Sequence, residues 1–281
     1  MHTLSFATRL GLALCLGAMA AHSEEAKREL LQPPRVEIAS PITDRFALAG
    51  LYSTAKVSTD IRYDQSLRVP GTTFRAENLL GLQDRSRGGA LELMLRMGER
   101  NRLRVDYFKL TRDGDTVLDQ PLVVGDSTYR LNDRLMTHTD LRMLGLTYTY
   151  SFLRRERVEV GGGLGVFLVQ AEGVGEVPAR RVRDTFDGVV PMPTLALDGS
   201  WRAADRWSVN GRVQYLVVHT QGVKGSFSNY QANLQYRAWH NLAAGVGYSK
   251  RQVLVNSFDP GNTGRVDFQF KGPEAFLRAS F

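Results

Sequence analysis

Cysteine is nearly absent from this chain of 281 residues: Cys15 stands alone, inside an apolar stretch at the amino terminus. With that stretch set aside no thiol remains, which excludes disulfide staples and a thiolate nucleophile. Long apolar runs are missing too. None reaches the roughly 20 residues that a membrane-spanning helix requires, although 43% of the residues are hydrophobic. Zinc-ligand spacings and a glycine-rich phosphate loop leading into a helix do not occur, so no metal or other cofactor is expected. No run of lysine or arginine is long enough to suggest nucleic acid as a partner.

The amino terminus reads as an address. Met1 to about Ser23 has a weakly basic start (His2, Arg9), an apolar run from Leu10 to Ala21, and the pattern Ala18-Met19-Ala20, which suits cleavage of a secretory signal. Leu12-Ala13-Leu14-Cys15 comes near a lipid-attachment motif, but Leu14 stands where such motifs carry a small residue. Removing residues 1–23 takes away Arg9 and leaves a formal charge of +6 from the full chain's +7. A modest positive excess suits a surface facing phosphate-rich lipopolysaccharide, and equally suits ordinary solubility. Residues 24–44, charged and carrying Pro33-Pro34 and Pro41, read as a poorly ordered periplasmic lead-in.

From residue 45 to 281 the chain repeats one pattern, apolar and polar positions alternating with the period of a strand. Leu91, Leu93, Leu95 and Met97 alternate with Glu92, Met94 and Arg96. Leu144, Leu146, Tyr148, Tyr150 and Phe152 oppose Gly145, Thr147, Thr149 and Ser151. Tyr230, Ala232, Leu234 and Tyr236 oppose Gln231, Asn233, Gln235 and Arg237. High apolar content with no spanning helix points to a closed barrel, whose backbone hydrogen bonds are all made within the sheet. Four tight connections (Gly98–Asn101, Leu153–Glu156, Arg202–Asp205, Ala238–Asn241) alternate with five longer ones near Asp64–Ser86, Asp113–Arg134, Glu172–Gly188, His219–Lys224 and Asn256–Gly264. Short turns belong on the periplasmic side and long loops outside.

The expected fold is therefore an all-β, antiparallel up-and-down transmembrane barrel of about ten strands, both termini periplasmic, with eight or twelve strands as alternatives. Trp201, Trp207 and Trp239 fall beside the tight turns, as an interfacial girdle requires. Phe167, Tyr215 and Tyr230 are candidates for the opposite girdle. The last strand changes parity between Val266–Phe270 and Ala275–Phe281, so a bulge is expected near Gly272-Pro273. Thr116–Arg130 contains the strand-like Pro121–Val124, which fits either an extra outer hairpin or two further barrel strands.

The terminal Phe281 on an alternating strand resembles the signal read by the machinery that assembles Gram-negative outer-membrane barrels. With that alternation, the chain resembles the broad group of small outer-membrane barrels that holds the OmpA transmembrane domain, OmpX and OmpW. Leu91–Leu110 is similar to a hairpin common in uncharacterised proteobacterial barrel proteins. The resemblance implies the outer membrane as location, outer-membrane lipid, lipopolysaccharide and the assembly machinery as partners, and a monomer.

Candidate functional residues fall in three groups. Glu92, Arg96, Arg104, Asp106, Arg212, Arg237 and Arg251 face the lumen by parity, where they either fill and pair within a narrow interior or line a weakly anion-preferring pathway. Arg180, Arg181 and Arg183 form a loop cluster suited to lipopolysaccharide phosphates, since guanidinium groups bind phosphate in a forked pair. His138 and Asp140, with Asp113 and Asp115 before them, are the candidates for a hydrolytic site, an Asp orienting a basic imidazole. The omptin surface proteases resemble this chain in size and strand count and rely on carboxylates with an Asp–His pair at the rim, but the order here departs from theirs. The His-x-Ser element of lipid A deacylases is not matched in the expected barrel. The expected function is a structural or interaction role at the cell surface, with a narrow channel as first alternative and a surface hydrolase as second.

Overall fold

The computed structural model describes residues 40–63, 73–119, 121–124, 127–180, 182–220, 223–257 and 264–281. The expected signal peptide and the lead-in up to residue 39 lie outside the described residues, as does Arg181.

In chain order the elements are β1 (Phe46–Tyr63), β2 (Thr73–Arg75), the single helical turn α1 (Ala76–Leu79), β3 (Arg85–Met97), β4 (Asn101–Val117), β5 (Leu122–Val124), β6 (Ser127–Tyr129), β7 (Arg134–Arg154), β8 (Val158–Val177), β9 (Val182–Arg202), β10 (Trp207–Thr220), β11 (Val223–Arg237), β12 (Leu242–Ser257) and β13 (Gly264–Ser280). Ten of the strands pair in sequence and the last returns to the first, Ala47 opposite Ser280 and Tyr63 opposite Gly264, so the sheet closes. Among the described residues β2 adds to β1 beyond the reach of β3, while β5 and β6 pair only with each other. The strand-like stretch near Pro121–Val124 is thus a separate hairpin, and the barrel has ten strands.

Alternation sorts the side chains as a closed sheet must. Leu144, Leu146, Tyr148, Tyr150 and Phe152 are exposed on the outer wall, while Met143, Thr147, Thr149 and Ser151, alternating with them, are buried inside. Each strand carries such an outward apolar row near its tight-turn end, and together the rows make a belt. β7 and β9 are 21 residues long, about twice the roughly 9–11 residues a strand needs to cross a bilayer. Their far halves therefore rise above the belt, and their outward positions turn polar there, at Arg142, Asp140 and His138 on β7.

Three expectations need correction. β13 pairs with β12 in unbroken register from Gly264 to Ala279, so Gly272-Pro273 forms no bulge. The parity change has another cause: Phe268, Phe270, Glu274 and Phe276 all point inward, and the interior itself passes from apolar to polar along the strand. The one register shift among the described pairings lies between Ser151 and Leu153. Phe167 belongs to no girdle; it is an inward residue, 4% exposed, whereas Tyr215 and Tyr230 are on the outer wall. The stretch read as a long loop, Glu172–Gly188, is mostly the upper ends of β8 and β9, which pair as far as Val177 and Val182. Ordinary strand residues with scattered charges look like loop until the partner strand is known.

The interior is layered. Over the four tight turns lies a charged layer. Next comes an apolar layer of Ala55, Val57, Phe108, Leu110, Met143, Phe167, Val169, Met192, Phe227, Val253, Phe268 and Phe270. Phe108 meets Phe270 edge-on with ring centroids 5.0 Å apart, and Phe167 stacks on Phe227 at 4.7 Å. Above these, α1 and the chain after it fold inward across the mouth. Leu82 bridges to Gly114, and a Cβ on Gly114 would come within 2.5 Å of the Leu80 carbonyl oxygen, so only glycine lets the two backbones meet.

Gly145 faces inward beneath Phe167, and a Cβ there would lie 2.4 Å from its ring. Gly145→Val is expected to displace Phe167 from Phe227 and cost about 1–3 kcal/mol through overpacking. A urea unfolding series of the refolded barrel in micelles measures this, with the outward Leu146→Val as the neutral reference.

Candidate functional site

The charged layer begins from a simple constraint. A lone charge away from water costs several kcal/mol, so every cation that points inward needs an acid within reach. Parity alone turns Arg96, Arg102, Arg104, Arg212, Arg237, Arg251 and Arg278 inward, and with them Glu92, Asp106, Glu159, Asp198 and Glu274. Asp44, from the turn that precedes β1, joins them.

Glu92 and Asp106 stand directly opposite each other on β3 and β4, a like-charge pair. Arg212 resolves it from across the barrel, its two terminal nitrogens 2.7 Å from Glu92 and 3.0 Å from Asp106. Arg104 adds a second cation to Glu92 at 3.2 Å. Nearer the turns, Arg96 grips Glu159 with both terminal nitrogens, at 2.7 and 2.8 Å, and the Ser151 hydroxyl donates to the same carboxylate at 2.6 Å. Arg102 pairs with Asp198 at 2.7 Å. Gln231 donates to Glu274 at 2.6 Å. Arg251, at the upper edge, has its guanidinium 4.8 Å from the centre of the Phe108 ring, a cation–π contact that ties the charged layer to the apolar one.

Ser40–Asp44 forms the floor. Asp44 meets Arg237 at 2.6 Å and Arg278 at 3.7 Å, and its carbonyl accepts from Arg96 Nε at 3.1 Å. Ser40, Ile42 and Asp44 are all buried. This end of the expected lead-in is therefore built into the barrel. At the opposite end, Arg112 donates to Glu77 at 2.6 Å and to Thr59 at 2.9 Å, and the Thr59 amide donates to Glu77 at 3.0 Å. That network clamps α1 over the mouth. Beside it pack Leu79, Leu118, Tyr129, Leu135 and Val177.

All seven lumen candidates thus lie inside, and most of their partners come from strands that are not their neighbours. Arg104 does meet Glu92; Arg96 meets neither Glu92 nor Asp106, and Asp106 is held by β10. Among the described residues two small interior cavities have volumes of about 50 and 20 Å³, the larger bordered by Arg102, Arg104, Asp198 and Arg212. At ~10–15 Å³ for each water, each has room for a few molecules at most.

The remaining candidates lie apart from the interior. His138 and Asp140 share a face as their spacing requires, but it is the outer wall of β7 above the apolar belt. His138 Nδ1 is 2.6 Å from Asp113 on β4, and its Nε2 is 3.9 Å from Asp140. The Thr111 hydroxyl donates to Asp140; with Lys109 and Arg142 beside it, it holds that carboxyl below the ordinary range. Asp115 pairs with Arg134 instead. These groups occupy the outward face of β7, where the imidazole has a carboxylate partner on β4. Arg183 is exposed on β9 opposite Glu176, and Arg180 lies in the short helical turn Pro178–Arg180 between β8 and β9.

No family model and no curated protein sequence matches the chain. Solved structures do. The outer membrane protease OmpT of Escherichia coli superposes with a TM-score of 0.57 at 12% identity, over 86% of this chain and 99% of that one. The chain has the outer-membrane β-barrel fold. The translocator domain of the autotransporter NalP from Neisseria meningitidis (TM-score 0.40, 10% identity, 94% and 98% covered) and Ail of Yersinia pestis (0.35, 10%, 82% and 98%) score lower. At such identities the likeness is one of fold, and the protease activity stays with OmpT.

Glu159 is fully buried, and Arg96 is its forked partner. Arg96→Ala is expected to cost about 3–5 kcal/mol by stranding that carboxylate, and Arg96→Met with Glu159→Gln to cost distinctly less. Equilibrium unfolding of the three proteins tests the difference.

Proposed function

We propose that this chain is a monomeric outer-membrane protein of a Gram-negative envelope, exported by a cleaved signal, with its tight turns in the periplasm and its longer connections at the cell surface. In this reading it is a sealed barrel whose role is structural or interactive, and not a pore. One observation carries the reading: a layer of aromatic and aliphatic side chains crosses the interior above arginines already matched by carboxylates. A conducting pathway needs polar groups left free to replace an ion's water, along a continuous bore. The lumen arginines here are engaged with acids, amides or aromatic rings of the barrel itself. Arg180, Arg181 and Arg183 then contact lipopolysaccharide phosphates from the surface.

Planar-bilayer recording of the refolded barrel tests this. The wild type is expected to show no reproducible current steps, and Phe108→Ser with Phe270→Ser to introduce them by breaching the apolar layer. Steps in the wild type that change with Arg212→Glu would overturn the sealed reading in favour of a narrow channel.

A further inference from the structure

At the tight-turn end, exposed arginines outnumber the acids beside them. Arg154 and Arg202 reach Glu99 and Asp205 at 3.5 and 3.6 Å. Arg45, Arg100, Arg155, Arg157 and Arg206 are exposed there with no carboxylate in salt-bridge range among the described residues, and Glu156 is the one acid left over in these turns.

The depth of these arginines is set by their aromatic neighbours. Arg100 Nη1 lies 3.4 Å from the Tyr150 hydroxyl, and Arg206 Nη1 lies 3.4 Å from that of Tyr236. Tyr150 and Tyr236 lie near the turn ends of the outward rows of β7 and β11, as do the exposed Trp201, Trp207 and Trp239. Phenol and indole rings settle where hydrocarbon gives way to headgroups. The guanidinium groups therefore sit at the level of lipid phosphates, around the circumference, and not on the axis where a soluble partner would dock.

We infer that the tight-turn end carries a ring of arginines that binds the headgroups of anionic phospholipids, such as phosphatidylglycerol, in the adjoining leaflet. This rests on the membrane reading above. The chemistry is a forked guanidinium–phosphodiester contact at a low-dielectric boundary. A basic side chain at an anionic membrane surface contributes about 1 kcal/mol, a roughly fivefold preference for one lipid over another.

All three tryptophans of the chain lie at this end, so their fluorescence reports on it alone. The barrel, refolded into phosphatidylcholine vesicles, is given increasing fractions of brominated phosphatidylglycerol or brominated phosphatidylcholine. The quenching curves should yield a binding ratio of roughly three to five in favour of phosphatidylglycerol. Arg155→Gln/Arg157→Gln/Arg206→Gln should bring the ratio towards one, with an unchanged heat-modifiable gel shift showing that the variant is folded. A wild-type ratio of one, or a ratio that the triple variant leaves unmoved, overturns the ring as a lipid site and favours a soluble acidic partner. If neither brominated lipid quenches, the barrel is not in the bilayer, and the membrane reading fails together with this one.

Discussion

The seam between β1 and β13 is the constraint on which the rest of this structure depends. An outward belt of leucine, valine, tyrosine and tryptophan suits hydrocarbon, and hydrocarbon offers no partner to a free amide or carbonyl. A sheet of this kind has no tolerable edge, so its last strand must find its first. Once it does, half of the side chains are committed to a narrow interior with no other outlet. The layered lumen is the consequence of closure, and each inward residue must be satisfied by others in the same confined space.

Two solutions to that demand lie one above the other. Near the tight turns the interior is ionic, and it works because cations and carboxylates are close to balanced and reach across the barrel to each other. Arg212 bridging Glu92 and Asp106 is the clearest case, since the two acids repel until the third strand supplies a cation. Higher up the interior is apolar, and aromatic packing does the filling. Arg251, over the Phe108 ring, is where one regime passes into the other.

Those surfaces are not alike. On the extended upper wall, Lys109, Arg134 and Arg142 pair with acids of neighbouring strands. His138 stands opposite Asp113 on that wall, a cross-strand hydrogen-bonded pair that helps join the two strands. The turn end keeps an uncancelled positive ring just below its aromatics. Charge that the fold does not neutralise is available to something outside it.

Much of this was legible in single residues. Period-two alternation identifies the strands, the absence of a spanning helix with abundant apolar residues implies closure, and parity alone turns Glu92, Arg104, Arg212 and Arg251 inward. The same parity test reaches Arg102, Glu159, Asp198 and Glu274, which complete the charged layer. What alternation cannot supply is the partner on the other side of the lumen. Arg96 with Glu159, Arg212 with Asp106, and Asp44 with Arg237 join positions 63, 106 and 193 residues apart. The apolar layer hid for a related reason: Phe268 and Phe270 look like a slipped register when strands are read one at a time, and become a core only when Phe108, Phe167 and Phe227 meet them from other strands. The sequence by itself determined which face of each strand each residue occupies, because that depends on the local pleat. The tertiary structure decided what each inward residue touches, and hence that the barrel is filled, because closure brings distant strands face to face across a space too narrow to leave them apart.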